Sequence, residues 1–245
     1  MVEFFIDSSN IEEIKKWSFL VKGCTTNPKI LSSDNVDNIE ERISEIGNFI
    51  DGPISVEVFS DKFEEMLKEA ERYALWHSNV IIKIPVLNYD SLKAIKELEK
   101  RNIKVNATGC ISMNQAIMAA MAGASYISFF YGRIGDEGGN PEEIIKQTSD
   151  AFHFDSTLKK TKIIIGSVRS ILDINRSIAS GADIITITPD IMKKLMINAQ
   201  TEKSIKEFNE SFEKLEKEFK KLPKEEIEEF LHDFTPEEIE YIRGL

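Results

Sequence analysis

Short, nearly continuous runs of Val, Ile and Phe alternate with amphipathic stretches from one end of the chain almost to the other. The runs predict strands over residues 2–7, 23–25, 54–59, 79–84, 103–108, 125–130, 162–166 and 183–186. Strands that are covered on both faces read this way, because neither face is left to water. Helical spacing fills the intervals. A helix is expected over 10–20 with Ser8 or Ser9 as its N-cap, another over 61–76 capped by Asp61, and a third over 90–101 with Leu92, Ile95 and Leu98 on one side. About eight strand–helix units in one chain predict a single closed (β/α)8 TIM barrel. The competing architecture is a doubly wound open sheet, which more often has fewer units and a Gly-rich dinucleotide turn that is absent here.

The alternation stops near Ala199, which divides a barrel over 1–199 from a helical C-terminal extension of the same domain over 200–245. The extension starts with a charged amphipathic helix at about 202–221, and Leu222-Pro223 breaks it. Two short helices follow, one from near Pro223 and one capped by Thr235 ahead of Pro236. Their apolar side (Ile227, Phe230, Leu231, Phe234, Ile239, Ile242) needs something to pack on, either this barrel or a neighbouring subunit.

Composition narrows the functional classes. The 245 residues are 42% hydrophobic and 30% charged, an ordinary globular balance. A formal charge of −11 argues against nonspecific nucleic-acid binding, while local basic clusters remain able to hold a small anion. Cys24 and Cys110 form no disulfide framework and sit in apolar runs, so buried thiols in a reducing compartment are expected. Glu3 and Asp7 flank a short first apolar run, unlike a signal peptide, and no stretch reaches the roughly 18 apolar residues of a membrane span. The expectation is a cytoplasmic protein with no membrane partner.

A barrel of this kind places its site at the carboxyl ends of the strands. Read in order, those ends carry Asp7, Thr25-Thr26-Asn27, Glu57, Lys83, Asn106 with Thr108, Ser128 with Arg133 beyond it, Ser167 with Arg169, and Thr186 with Thr188. Lys83, within Val80-Ile81-Ile82-Lys83-Ile84-Pro85, is the sharpest signal, because burying an ammonium is costly unless it is paired. A neutral amine there attacks carbonyls; otherwise the lysine reaches solvent or forms a structural ion pair with Glu57. Glu57 itself interrupts an apolar strand and suits proton exchange. Asp7 is either a site carboxylate or the cap of the following helix. Thr108 either holds a water or bonds the backbone. Arg133 and Arg169, beside Ser167 and a helix start near Ser170, suit a phosphate, and each alone also reads as an ordinary surface arginine. Three histidines without ligand-like spacing, and no CxxC, HExxH, GxGxxG or phosphate-binding loop, give metal, dinucleotide and ATP chemistry little to work with.

These segments carry a resemblance. GCTTNPKI at 23–30, VIIKIP at 80–85, the Asn106/Thr108 pair, GRI at 132–134 and SVR at 167–169 resemble the transaldolase family in order and spacing, and its small members that include fructose-6-phosphate aldolase most of all. The similarity extends from Val2 to about Phe219. It implies a class I aldol mechanism that needs no metal or organic cofactor. By position, Lys83 would form the Schiff base, Asp7 would take the proton of the donor's C4 hydroxyl, and Glu57 would exchange protons through a water on Thr108. Asn27, Asn106 and Ser128 would bind the dihydroxyacetone hydroxyls, with Arg133, Ser167 and Arg169 on the phosphate. Members that act as simple aldolases have Gln in place of Glu57 and Tyr in place of Phe130, so both positions match the transaldolase side.

The implied reaction is sedoheptulose 7-phosphate plus glyceraldehyde 3-phosphate giving erythrose 4-phosphate plus fructose 6-phosphate, a step of the pentose phosphate pathway. An aldolase that releases dihydroxyacetone and a catalytically silent sugar-phosphate-binding barrel are the alternatives. Small members form rings, so a homo-oligomer, a pentamer or decamer, is expected. The chain departs from the family pattern at Gly109-Cys110-Ile111-Ser112, at Phe129 where proline is usual, at Tyr131 where a small aliphatic residue is common, and in a longer tail.

Overall fold

In the computed structural model, residues 2–158, 160–219, 223, 231–232 and 234–236 are described. They divide into two compact units, Met1–Leu195 and Met196–Leu245. The first contains eight strands: β1 (Glu3–Asp7), β2 (Cys24–Thr25), β3 (Ile54–Glu57), β4 (Val80–Pro85), β5 (Val105–Cys110), β6 (Tyr126–Phe130), β7 (Lys162–Gly166) and β8 (Ile184–Ile187). Each pairs in parallel with the next, and β8 returns to β1, which closes the barrel. The helices between them are α1 (Ile11–Trp17), α2 (Pro28–Ser33), α3 (Ile39–Gly47), α4 (Phe63–Ala74), α5 (Tyr89–Lys100), α6 (Met113–Ala122), α7 (Tyr131–Asp136), α8 (Pro141–Phe154), α9 (Ile171–Ala179) and α10 (Pro189–Met196). Every expected strand is present, with ends shifted by no more than two residues. Among the described residues no helix is long and apolar enough to cross a membrane.

The period of two along each strand separates two environments. Ile6, Cys24, Ile54, Val56, Ile82, Ile84, Ile127, Ile163, Ile165 and Ile185 join the helices in the main core. Burying each such aliphatic side chain contributes about 1.5–3 kcal/mol, so this layer carries most of the fold's stability. The alternate positions begin at the bottom with a small apolar cluster of Phe5, Ile164 and Ile184, against which Tyr126 packs. Gly23 makes room for it, since a Cβ there would lie 2.6 Å from the Phe5 ring. Two residues further along the same faces, Phe5, Ile164 and Ile184 give way to Asp7, Gly166 and Thr186. An apolar plug therefore lies beneath a polar floor.

Two helix caps differ from expectation. Neither Ser8 nor Ser9 caps α1; Asn10 does, accepting from the Glu13 N–H at 3.1 Å. Ser9 is engaged elsewhere, giving both its N–H and its hydroxyl to Asp34. Asp61 does not cap α4, whose N-cap is Lys62 without a side-chain bond. Glu69 reaches back from inside the helix to accept from the Phe59 and Ser60 amides in the loop ahead of it. For α5 the cap is Asn88.

The second unit contains α11 (Ala199–Phe219). Its Ile205, Phe208, Phe212 and Leu215 follow a helical stripe and are exposed. The pair of helices expected after Pro223 falls largely outside the described residues; of their apolar side, Leu231 is buried and Phe234 is 36% exposed.

Candidate active site

At the carboxyl end of the barrel lies a cavity of about 330 Å3. Strand register dictates its floor. Glu57 is the register partner of Lys83, and Asp7 of Thr25, so these side chains are neighbours before any rotamer is chosen. Lys83 is buried at 6% exposure, with Nζ 3.0 Å from Glu57 Oε2 and donating to the Thr26 carbonyl at 3.2 Å. The ion pair anticipated between the two charged strand residues is thus present, and Lys83 lines the cavity. Removing either partner would strand a largely desolvated charge, a change that costs about 3–5 kcal/mol in comparable buried pairs.

Asp7 lines the same cavity and does not cap α1. Thr25 donates to its Oδ1 at 2.6 Å, and the Thr25 hydroxyl lies 2.5 Å from that of Thr186. Burial pushes the Asp7 carboxyl above the usual carboxylate range, and the Thr25 bond and the Lys83 charge oppose that rise. Thr108, from β5, is 1% exposed, and its hydroxyl has no hydrogen-bond partner among the described residues, although it lines the cavity. A buried hydroxyl is seldom left so unless water or a ligand completes it. Around it the β5–β6 register shifts between Ala107 and Cys110, with Gly109 at φ +77°, a conformation that suits glycine. The departure from the family pattern after Thr108 therefore coincides with an irregularity beside the cavity.

Asn106 does not line the cavity. It is fully buried, donates to Ser55 at 3.2 Å, and accepts from the Ser128 hydroxyl at 2.7 Å. Asn106 thereby fixes Ser128, which does line the cavity. Asn27 lines it too while its side-chain oxygen caps α2 through the Ile30 N–H, leaving the amide nitrogen for a ligand. Phe130 and Arg133 share one wall, the guanidinium 4.9 Å from the ring centre. Ser167 lines the cavity in the left-handed region at φ +58°.

Arg169 stands apart from the other sequence-identified residues. Both of its terminal nitrogens are bonded to Asp136, at 2.7 and 2.5 Å, and it does not line the cavity. Its guanidinium lies over Gly132, where a Cβ would come within 2.6 Å of Nε. Sequence reasoning missed Lys29, which lines the cavity from the first turn of α2 and makes no ion pair among the described residues. Its signal was available: it is the lysine inside the TTNPKI segment, two residues past Asn27. Thr25 and Thr186 were visible as strand-end hydroxyls, but without an assigned task. Among the described residues no group of three His, Cys, Asp or Glu side chains is gathered to hold a metal ion.

Solved barrels reproduce the architecture at low identity. A flavocytochrome b2 variant with sulfite bound matches with a TM-score of 0.56 at 12% identity, over 77% of this chain and 56% of that one, which speaks to fold alone. Sequence relatives are nearer. A protein of Carboxydothermus hydrogenoformans named "Probable transaldolase" is 39% identical over 209 residues, 84% of this chain and 96% of that protein. A protein of the same name from Thermodesulfovibrio yellowstonii is 38% identical over 221 residues, 88% of this chain and all of that protein. The family model described as transaldolase/fructose-6-phosphate aldolase matches residues 4–238. The chain belongs to the transaldolase/fructose-6-phosphate aldolase family.

Proposed function

We propose that the protein is a class I transaldolase that moves a dihydroxyacetone unit between sugar phosphates, from sedoheptulose 7-phosphate to glyceraldehyde 3-phosphate. The observation that carries this reading is the buried Lys83 amine, 3.0 Å from Glu57 and open to a cavity that also holds Asp7 and the Thr108 hydroxyl, which has no partner among the described residues. Lys83 yields a proton to Glu57, and the neutral amine adds to the donor's C2 carbonyl. Glu57 then returns the proton, through a water on Thr108, to the departing hydroxyl of the carbinolamine. With the iminium formed, Asp7 takes the C4 hydroxyl proton. The C3–C4 electron pair moves into the iminium, and the aldehyde leaves. The enamine waits on Lys83 for the acceptor, and the same steps run backwards.

Asn27 and Ser128 address the hydroxyls of the retained unit, with Asn106 behind Ser128. Arg133, Ser167 and Lys29 address the phosphate, and Arg169 joins them once it leaves Asp136. Glu57 and Phe130 favour transfer over release of free dihydroxyacetone. The reading takes the protein as a cytoplasmic homo-oligomer. Borohydride reduction with fructose 6-phosphate, followed by intact and peptide mass spectrometry, tests it: a reduced three-carbon adduct on Lys83 is expected. No adduct on folded protein overturns the mechanism, and steady release of dihydroxyacetone without acceptor overturns the transfer.

A further inference from the structure

Beside Asp7, two threonine hydroxyls form a chain whose direction can be worked out by counting protons. Thr25 Oγ1 lies 2.6 Å from Asp7 Oδ1 and 2.5 Å from Thr186 Oγ1. A hydroxyl has one proton to give. When Asp7 is ionised it only accepts, so the Thr25 proton is spent on it, and the contact with Thr186 requires Thr186 to donate. All three residues line the cavity, and both threonines are buried, Thr25 at 3% and Thr186 at 6% exposure, which keeps water from replacing either bond. The Thr186 methyl is turned towards Gly166, where a Cβ would stand 3.3 Å from it, so the hydroxyl is held on the Thr25 side.

We infer that Thr25 and Thr186 are a switchable relay that reports the protonation of Asp7 to the bound sugar. The inference rests on the proposed role of Asp7 in taking the C4 hydroxyl proton. While Asp7 is ionised, Thr186 gives its proton to Thr25 and presents only lone pairs to the cavity, a match for a substrate hydroxyl. When Asp7 gains the proton, its O–H bond forms as the C4 O–H bond breaks, the pair left on that oxygen becomes the second bond of the new carbonyl, and the C3–C4 pair moves into the iminium. Asp7 can now donate to Thr25, Thr25 to Thr186, and Thr186 turns its own proton to the cavity, a match for the carbonyl oxygen just made. Reorientation of the Asp7 carboxyl, which brings its new O–H round to Thr25, and rotation of the two hydroxyls follow the one transfer, and no further charge moves along the relay. The wall therefore recognises alcohol before cleavage and aldehyde after it.

The groups that set the titration of Asp7 are few. From β4, Lys83 stabilises its anion, with Glu57 from β3 beyond; from β2 the Cys24 thiol feels its charge; from β8 Thr186 acts only through Thr25. Lys29 and Arg133 share the cavity from α2 and α7. Thr25 is thus a positioning residue for Asp7, and Thr186, which meets the sugar, also influences a carboxylate from which Thr25 separates it.

Carbon-13 NMR titration of the Asp7 carboxyl, assigned by its loss in Asp7→Asn, tests this in Thr25→Val, Thr186→Val and the matching serine variants. Thr25→Val is expected to raise the Asp7 pKa by about one unit, because an uncompensated carboxylate loses its donor. Thr186→Val should raise it by a smaller but measurable amount, since a hydroxyl that accepts a bond is a stronger donor. Thr25→Ser and Thr186→Ser, which keep the hydroxyls, should restore the wild-type value. In steady-state assays the acid limb of kcat should move to higher pH in the same order. An Asp7 titration indifferent to Thr186→Val, or a Thr186→Ser that behaves as Thr186→Val does, overturns the relay. If the wild type forms no borohydride adduct with fructose 6-phosphate, the proposed function fails instead, and the NMR titration still decides whether the chain exists.

Discussion

The floor and the rim of the cavity are built on different terms. The floor is made of strand residues (Asp7, Thr25, Lys83, Thr108, Thr186) placed by barrel register, and the bonds among Asp7, Thr25 and Thr186 and the Lys83–Glu57 pair are short and largely buried. The rim is made of helix and loop residues. Lys29 and Arg133 are exposed, and Arg169 is tied to Asp136 by a pair in which each side chain is more than half exposed. A floor of this kind holds atoms to the tolerance that chemistry needs, because moving one side chain means moving a strand. A rim of long exposed cations gathers an anion without holding it to a single place. Under the proposed function, reaction type and substrate choice are separable, and substitutions in the two regions should fail differently.

The largest expected effect is on the floor. Lys83→Ala should lower kcat by roughly 10^4-fold or more and abolish adduct formation, with thermal unfolding still cooperative. Wild-type-like turnover would remove the floor from the mechanism. Asp7→Asn should lower kcat by about 10^2–10^3-fold while adducts with fructose 6-phosphate still form, since imine formation precedes its step.

The same substitution gives a pH test of stability. The folded pKa of Asp7 lies above its unfolded value of about 3.8, so the native state resists ionisation that the unfolded chain undergoes freely. Below that value both states are protonated and nothing is lost; as pH rises through the folded pKa the buried charge costs stability. Asp7→Asn should therefore have a higher Tm than wild type near neutral pH, an advantage that fades on acidification. Equal Tm at every pH would mean the carboxylate is not desolvated.

Rim substitutions should change KM and spare kcat. Arg133→Ala should raise KM for fructose 6-phosphate by about 10- to 100-fold, the worth of a charge-assisted bond, with little change for unphosphorylated fructose. Arg169→Ala should cost less, about fivefold, because the substrate must first compete with Asp136 for that guanidinium. Lys29→Ser, the smallest, should raise KM about two- to fivefold, as exposed charges do. Equal losses for phosphorylated and plain sugar would refute the anion role of each.

The division also explains what could be read from the sequence. Strands were legible because Val, Ile and Phe recur without interruption wherever the chain is covered on both sides, and Lys83 and Glu57 were legible as charges breaking such runs. Those are local signals. Asn106 was identified, yet not that its amide is spent on Ser55 and Ser128, 51 and 22 residues away. Arg169 was identified, yet not that Asp136, 33 residues earlier, holds it. The caps went the same way: Ser9 has the right side chain for a cap, and Asp34 from beyond α2 takes it. The N-cap of α4 falls one residue later, on Lys62, and the amides of Phe59 and Ser60 ahead of it are satisfied by Glu69 from within the helix. Residue types announce capability; partners supplied by tertiary contact decide its use.

Cys24 shows what the period of two does for the sulfur in this barrel. Thr25 faces the cavity, and Cys24, one residue earlier, is fully buried with its thiol directed at the Ser8 carbonyl at 3.2 Å. Burial, and then the nearby Asp7 charge, push its pKa up, which keeps it as thiol. Thiolates capture aldehydes as hemithioacetals and are the form that peroxides oxidise. A strand one residue out of register would bring that sulfur into a cavity suited to carbonyl compounds. As built, Cys24 stands next to Asp7, the carboxylate of the proposed mechanism, and should escape oxidants and alkylating agents that reach the cavity.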